Sequence, residues 1–168
     1  MSVFIDRERP DSTDAVRLIV ELEDHLEPLY PAISRHGFSV ERLLAENVEF
    51  FVLRVDGRPA GCGGILLVAG EYGEVKRMWV RPAYRGRGFG RLLLDRLADR
   101  ARADGINLLR LETGIHQRDA IMLYERYGFR RIPPFGPYFD DPLSRCYELH
   151  LAEPRPEAAG DAGGDSDR

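Results

Sequence analysis

Lysine, cysteine and long apolar runs are all scarce in this sequence of 168 residues. Lys76 is the single lysine, so arginine supplies the other 23 of the 24 basic residues. The net charge is −4, whereas proteins that bind nucleic acid or membrane surfaces usually carry a basic excess. We therefore expect neither a nucleic acid nor a membrane as partner.

The two cysteines, Cys62 and Cys146, stand far apart in the chain. This spacing excludes closely spaced zinc and redox motifs and offers no disulfide framework, so we expect no metal. The N-terminus is charged by Asp6 and lacks the apolar core of an export signal. The longest weakly polar run, residues 60–70, contains four glycines and is too short to span a bilayer. A cytoplasmic location is the expectation.

Hydrophobic patterning divides the chain into one domain, residues 1–152, and a tail, residues 153–168. The tail has five acids, two arginines and no large apolar residue, a composition typical of disorder. In the domain, alternation and helical spacing predict a mixed α/β sheet. The predicted strands are 3–7, 49–55, 60–69, 74–80, 107–113 and 145–151. The first predicted helix is capped by Asp11 or Ser12, and the other three cover residues 40–46, 88–104 and 118–127.

A glycine-rich turn, residues 85–90, opens the third helix. Glycines let a backbone approach a ligand closely, and the amides and dipole at a helix start attract anions. Arg85, Arg87 and Arg91 surround the same turn, which predicts a phosphate or pyrophosphate ligand. The turn lacks the Gly-Lys-Ser/Thr of a P-loop. It also follows the strand too late for a dinucleotide-binding fingerprint.

Two segments together resemble the GCN5-related N-acetyltransferase (GNAT) family. Arg85, Gly88 and Gly90 match that family's Arg/Gln-x-x-Gly-x-Gly/Ala motif after the strand EVKRMWV. Residues 117–129 are similar to its Asn-x-x-Ala-x-x-Leu-Tyr-x-x-x-Gly-Phe motif, except that Gln117 replaces the usual Asn. The resemblance implies a mixed, mostly antiparallel sheet flanked by helices, the acyl-CoA N-acyltransferase fold.

The resemblance also implies acetyl-CoA as co-substrate. Its pyrophosphate would lie on the amides of residues 85–90, and its pantetheine arm along strand 74–80, which in the family carries a bulge and splays from its neighbour. An amide near Trp79 or Val80 would polarise the thioester carbonyl. The expected cofactor-binding residues are Met78, Trp79, Val80, Arg85, Gly86, Arg87, Gly88, Phe89, Gly90, Arg91 and Gln117.

Two side chains are candidates for proton transfer. Tyr124 matches the family tyrosine that protonates the leaving thiolate, although its apolar helix face also suits a core residue. Glu74 matches the position at which several members carry a general base. Lys76 lies two residues further on the same strand face, so an ion pair without proton transfer is the alternative. Lys76 is also a candidate for holding a substrate carboxylate.

The acceptor site should form between residues 29–38 and the loop 133–144. Tyr138 and Asp141 in that loop suit an organic cation, while Arg35 and His36 suit a carboxylate. Together they predict a small-molecule amine such as an amino acid as the acceptor. Two alternatives stay open, a protein N-terminal or lysine acetyltransferase and a non-catalytic acyl-CoA-binding module. We expect a monomer or a homodimer.

Overall fold

The computed structural model describes residues 1–152, so the predicted acidic tail lies outside the described residues. Within this range the chain forms seven strands and four α-helices, three of which have ten residues or more. The strands are β1 Val3–Arg7, β2 Glu49–Val55, β3 Arg58–Val68, β4 Tyr72–Val80, β5 Leu108–Gly114, β6 Arg130–Ile132 and β7 Ser144–His150. The helices are α1 Thr13–Leu26, α2 Val40–Ala45 (a short one), α3 Phe89–Ala103 and α4 Arg118–Tyr127.

The strands form one seven-stranded sheet in the order β1-β2-β3-β4-β5-β7-β6. Every neighbouring pair is antiparallel except β4 and β5, which are parallel. Helices α3 and α4 pack on one face through a core that includes Leu94, Leu97 and Tyr124. Helix α1 covers the other face through Leu18 and Leu22. This arrangement confirms the predicted mixed, mostly antiparallel sheet flanked by helices.

Strand β4 is irregular at the point where it leaves its neighbours. Cys62 of β3 pairs with Trp79, whereas Gly64 pairs with Lys76, so β4 carries one extra residue between them. Arg77 takes a φ of 55° in this bulge. On the other side, β4 pairs with β5 only at Gly73 and Glu74. The C-terminal half of β4 therefore diverges from β5, which confirms the expected bulge and splay.

Local sequence explains where the helices begin and end. The Ser12 hydroxyl accepts a hydrogen bond from the backbone N–H of Ala15 at 3.1 Å, and Ser39 caps α2 in the same way. Gly128, with a φ of 115°, ends α4 in the left-handed region. Within residues 1–152, no helix has the length and hydropathy that crossing a bilayer requires.

The short strand β6 was not predicted. Arg130, Arg131 and Ile132 pair with β7, but three residues that include two arginines and precede two prolines show no recognisable alternation. The pairing depends on β7, which is separated from β6 by eleven residues, 133–143. Local pattern therefore carries no signal for this element.

Candidate active site

An open groove of about 710 Å³ runs between the diverging half of β4, the start of α3 and helix α4. Ten of the eleven predicted cofactor-binding residues line it: Met78, Trp79, Val80, Arg85, Gly86, Gly88, Phe89, Gly90, Arg91 and Gln117. Arg87 is the exception, because its guanidinium lies over the rings of Tyr84 and Phe89 and contacts the sulfur of Met1. The structure thus brings ten of the predicted residues to one groove, while the Arg87 side chain lies outside its lining.

The glycine-rich turn has the backbone geometry of an anion cradle. Gly86 and Gly88 have φ values of 73° and 83°, in the left-handed region that side chains rarely adopt. Gly88 is the N-cap of the 15-residue helix α3 and offers no side-chain cap. The first N–H groups of the helix therefore face the groove side without an intrahelical partner, and the helix dipole adds positive potential there.

Gly90 serves a different purpose in the same motif. A Cβ atom at this position would lie 2.7 Å from Cδ2 of Leu123 on α4. The side chain of Phe89 is likewise buried in the core, with Leu93 and Leu53. These two residues therefore set the packing of α3 against its neighbours, and only their backbone atoms are available to a ligand.

Two arginines bring positive charge to the groove. The Nε of Arg85 donates to the backbone carbonyl of Val80 at 2.9 Å, and its guanidinium lies 4.8 Å from the Trp79 ring. Arg91 lies 5.5 Å from the Tyr127 ring. Arg85 thus ties the glycine-rich turn to the end of β4, while both guanidinium groups stay along the groove, where an anionic ligand would meet them.

A second, smaller cavity of about 80 Å³ adjoins the groove; we call it the inner cavity. It lies where β4 and β5 diverge, beneath the segment that follows α1. Its polar lining consists of Tyr30, Ser34, Arg35, His36, Lys76, Arg77, Glu112, Thr113, Gln117, Tyr124 and Tyr138. Met78, Gln117 and Tyr124 line both the inner cavity and the groove. The two spaces therefore meet at these residues.

Tyr124 lies at this junction with 6% of its surface exposed. Burial raises the pKa of its hydroxyl above the ordinary value, and the nearby Glu112 acts in the same direction. The hydroxyl therefore keeps its proton at neutral pH and can donate it. Because Tyr124 also packs in the core beside Phe129, at 5.8 Å between ring centroids, its position is fixed.

Glu74 and Lys76 form a buried ion pair. The Lys76 Nζ lies 2.5 Å from Glu74 Oε2, and the two side chains are 5% and 3% exposed. Lys76 donates to the Tyr138 hydroxyl at 2.7 Å, and that hydroxyl donates to Glu74 at 2.5 Å. Lys76 also lies 3.9 Å from the centroid of the Phe38 ring. The contact between Glu74 and Lys76 is the ion pair that was the alternative to a general base at Glu74.

His36 and Tyr138 line the inner cavity, but Asp141 does not. Asp141 lies in a separate depression with Arg131 and Pro133, and its Oδ1 accepts from the Leu143 backbone N–H at 2.9 Å. Its Oδ2 is 3.9 Å from Nε2 of His36. The structure therefore places the Asp141 side chain outside the lining of the inner cavity, next to His36.

The surroundings of His36 favour the neutral form of its imidazole. Burial lowers the pKa of its imidazole, an effect that the nearby Asp141 carboxylate opposes but does not overcome, and Lys76 lowers it further. Its ring makes edge contacts with Tyr138 and Phe139, each at 5.4 Å between centroids. The inner cavity therefore has a neutral aromatic wall on the side of the 133–144 loop.

Sequence reasoning missed Glu112, a carboxylate in the wall of the inner cavity. It accepts a hydrogen bond from the Ser144 hydroxyl at 2.9 Å. Burial raises the pKa of Glu112 to about 7. The strand LLRLETG shows only that one side of β5 is polar. The parallel pairing of β4 with β5 brings Glu112 into the lining of the cavity that Lys76 also lines, and a pairing between distant strands has no local signal.

The remaining reactive side chains have other roles. Cys146 is buried in β7, and burial raises the pKa of its thiol to about 11, which agrees with a packing residue rather than a nucleophile. Within residues 1–152, no group of three or more His, Cys, Asp or Glu side chains is placed to hold a metal ion.

Comparison with known proteins gives a consistent family assignment. Residues 19–129 match the sequence model of the Acetyltransferase (GNAT) family. An IAA acetyltransferase of Azospirillum brasilense is 47% identical over 151 residues, which cover 89% of this chain and 99% of that protein. An amino-acid acetyltransferase of Mycobacterium tuberculosis is 27% identical, with 89% of this chain and 82% of that protein covered.

Solved structures agree with the sequence relatives. A Klebsiella pneumoniae protein described as an acyl-CoA N-acyltransferase is 35% identical, with a TM-score of 0.76 over 89% of this chain and 98% of that one. A GNAT acetyltransferase of Elizabethkingia anophelis, solved with acetyl-CoA bound, has a TM-score of 0.66 at 18% identity, over 89% and 98% of the two chains. The left-handed glycine cradle and the free edge of β4 fit that co-substrate. The chain belongs to the GNAT family and is an acetyl-CoA-dependent N-acetyltransferase.

Proposed function

We propose that the protein acetylates the primary amine of a small molecule, with an amino acid or a related carboxylated amine as acceptor. The observation that carries this proposal is the inner cavity. It has a volume of about 80 Å³ and meets the groove at Tyr124. A space of this size, beneath the segment after α1 and the 133–144 loop, suits a compact acceptor better than a folded protein surface.

A buried arginine nitrogen that has no hydrogen-bond partner among residues 1–152 supports a carboxylate on the acceptor. Arg35 lines the inner cavity, and its Nε is buried with no hydrogen-bond partner within residues 1–152. A buried donor without a partner is costly, and a substrate carboxylate would satisfy it with a charge-assisted hydrogen bond. The name of the Mycobacterium tuberculosis relative, an amino-acid acetyltransferase, points to the same class of acceptor.

Some residues of the groove bind acetyl-CoA, and others take part in the reaction. The N–H groups of residues 86–90, together with Arg85 and Arg91, hold the pyrophosphate, and the diverging edge of β4 holds the pantetheine arm. Bound acetyl-CoA supplies an activated thioester. A backbone amide near Trp79 or Val80 stabilises the negative charge that develops on the carbonyl oxygen, typically worth about 3 kcal/mol. Tyr124 donates its proton to the departing sulfur. The amine attacks directly, without a covalent enzyme intermediate.

The test is release of CoA from acetyl-CoA with a panel of acceptors, beside calorimetric binding of acetyl-CoA. The panel contains amino acids, the amines obtained by decarboxylating them, polyamines, aminoglycosides and basic peptides. It also contains IAA, because the Azospirillum brasilense relative is named for it. We expect the fastest turnover with an amino acid or a related carboxylated amine. Preference for peptides would favour the protein-acetylating alternative, and binding without turnover on any acceptor would contradict the small-molecule acceptors of the panel.

The variant Arg35→Ala tests whether Arg35 binds a carboxylate of the acceptor. Removing the guanidinium should raise the KM for a carboxylated amine about tenfold or more and leave that for its decarboxylated counterpart unchanged. Arg17→Ala, on the exposed side of α1, is the matched control. Equal KM values for the two amines in Arg35→Ala and in the parent would contradict the carboxylate assignment.

A further inference from the structure

We infer that Arg77 is a positioning residue for the acceptor, because its guanidinium holds the segment 34–38 against the bulge of β4. This inference rests on the proposed function, since it assigns the group that keeps Arg35 and His36 in place around the acceptor. Arg77 lines the inner cavity with 7% of its surface exposed. Its side chain therefore belongs to the buried support of that cavity.

The bulge of β4 is an unusual place for an arginine. Arg77 has a φ of 55°, in the left-handed region where a residue with a Cβ atom is strained and glycine is not. Such a conformation persists where surrounding contacts hold it, and a bulge also redirects the side chain that it carries. The Cys62 thiol donates to the Arg77 carbonyl at 3.3 Å, so the bulge backbone has a contact that does not involve the guanidinium.

The Arg77 guanidinium joins three separate parts of the chain. Its Nε donates to the backbone carbonyl of Phe38 at 2.9 Å, and its Nη2 donates to the Glu23 carboxylate of α1. The side chain of Arg77 is 3% exposed, so water screens these charge-assisted bonds weakly. Burial lowers the pKa of Arg77 to about 10, which still leaves the group charged at neutral pH. Strand β4, helix α1 and the segment before α2 are therefore fixed to one another through this side chain.

Gly37 leaves the space that the same guanidinium occupies. A Cβ atom at position 37 would lie 2.5 Å from Cζ of Arg77 and closer still to its Nη1. The backbone does not require a glycine here, because the φ of Gly37 lies outside the left-handed region. The guanidinium therefore takes the room that a side chain at position 37 would need, and the two positions are sterically coupled.

Arg35 and His36 lie between two fixed points of the segment. Before them, the hydroxyl of Tyr30 accepts a hydrogen bond at 2.9 Å from a backbone N–H of the connection between β5 and α4. After them, the Phe38 carbonyl is held by Arg77. Without the guanidinium the second point is released, and Arg35 and His36 lose their orientation toward the acceptor. The glycine-rich turn belongs to another part of the chain, so acetyl-CoA should bind as before.

The experiment compares Arg77→Gly, Arg77→Lys and Arg54→Ala in steady-state kinetics with the best acceptor of the panel. Glycine at position 77 tolerates the left-handed backbone and removes only the side chain. We expect Arg77→Gly to raise the acceptor KM about tenfold or more, with kcat and calorimetric acetyl-CoA affinity changed about twofold at most. Lysine keeps the charge without the planar fork, so Arg77→Lys should restore the parent's KM only in part.

Arg54 provides the matched control, because its guanidinium also connects a strand to α1. Its Nη2 donates to Glu8 at 2.8 Å and to Asp14 of α1 at 2.9 Å, and it lies outside the lining of the inner cavity. Arg54→Ala should therefore lower the thermal unfolding temperature as Arg77→Gly does, while the acceptor KM stays at the parent's value. A KM rise of the same size in both variants would indicate a general loss of stability and would overturn the inference.

A second pair of variants tests the contact between positions 37 and 77. Gly37→Ala places a methyl group against the guanidinium, so it should raise the acceptor KM when Arg77 is present. In the Arg77→Gly background the same alanine should change the KM about twofold at most, because the guanidinium is gone. Equal effects of Gly37→Ala in the two backgrounds would overturn the inference.

Amide hydrogen exchange separates a failure of this inference from a failure of the proposed function. If no acceptor of the panel reacts, the proposed function fails, but the segment 34–38 can still be followed. We expect its amides to exchange about tenfold faster or more in Arg77→Gly than in the parent, and at the parent's rate in Arg54→Ala. Unchanged exchange in Arg77→Gly would overturn the inference independently of turnover. An unchanged KM with an acceptor that reacts would overturn it while the proposed function stands.

Discussion

Tyr124 stands where the groove and the inner cavity meet, in surroundings that keep its hydroxyl protonated. Because the hydroxyl is the donor proposed for the leaving sulfur, Tyr124→Phe should lower kcat about 10²-fold and leave acetyl-CoA affinity unchanged. Steady-state kinetics with calorimetry measure both. Tyr147→Phe is the control, since that hydroxyl donates to Glu125 at 3.0 Å, away from the cavity. Full activity in Tyr124→Phe would leave Tyr124 a core residue only.

The Glu74–Lys76 pair predicts a large stability effect from one substitution. Glu74→Gln leaves the Lys76 ammonium buried without its counter-ion, and breaking a buried pair in this way costs about 3 kcal/mol or more. The double variant Glu74→Gln with Lys76→Met should recover most of that loss. Denaturant unfolding of the two single variants and the double variant measures the coupling. A loss below about 1 kcal/mol in Glu74→Gln, joined to a changed pH–rate profile, would favour the general-base interpretation of Glu74 instead.

At the scale of elements, the start of α3 decides whether the groove binds acetyl-CoA. Gly88 has a φ of 83°, and a Cβ there would project into open space. Gly88→Leu should weaken acetyl-CoA binding at least tenfold, because its side chain enters the cradle and the left-handed backbone is strained by about 1 kcal/mol. Gly70→Leu, at a φ of 73° in the turn between β3 and β4, carries a similar strain remote from the groove. Equal calorimetric affinities in the two variants would remove the phosphate assignment.

The helix ends and most of the groove residues could be predicted from sequence. Ser12, Ser39 and Gly128 mark helix ends by side-chain or backbone chemistry that is local, and the predicted helix over 118–127 is the observed one. The groove residues follow a strand–turn–helix order along one stretch of chain, so ten of the eleven gather as expected. Local order cannot show which strand lies next to which.

The features of the structure that could not be predicted from sequence therefore share a physical cause. Glu112 enters the site only through the parallel pairing of β4 with β5, and β6 exists only because β7 pairs with it. Asp141 and Tyr138 are three residues apart in one loop, yet the loop turns them toward different depressions. Arg87 stacks on Tyr84 and Phe89 instead of entering the groove. Each of these outcomes depends on contacts between distant segments.

For the whole molecule, Glu112 makes the stability of the fold depend on pH. Its pKa rises from 4.5 to about 7 on folding, so the native state holds this proton more tightly than the unfolded chain. Below pH 4.5 the carboxyl is protonated in both states, so this group does not lower the free energy of unfolding. As pH rises from 4.5 through 7 the free energy of unfolding falls, and at higher pH it stays about 3 kcal/mol lower. The stability of Glu112→Gln relative to the parent should therefore increase by that amount between pH 4.5 and pH 8.

Denaturant unfolding at a series of pH values measures this difference, and Glu148→Gln, a change at the carboxylate paired with Arg110 outside the inner cavity, serves as the control. Taking the difference between variant and parent removes the contributions of the other titrating groups, which the two proteins share. A difference that stays constant over this pH range would show that folding does not raise the Glu112 pKa.

The proposed reaction requires the groove and the inner cavity to act as one site joined at Tyr124. A crystal structure of the enzyme with acetyl-CoA tests that claim most directly. We predict the pyrophosphate on the N–H groups of residues 86–90, the pantetheine arm along β4, and the acetyl group beside Tyr124 at the mouth of the inner cavity. An acetyl group that points to solvent, or a pyrophosphate bound away from the glycine-rich turn, would contradict it.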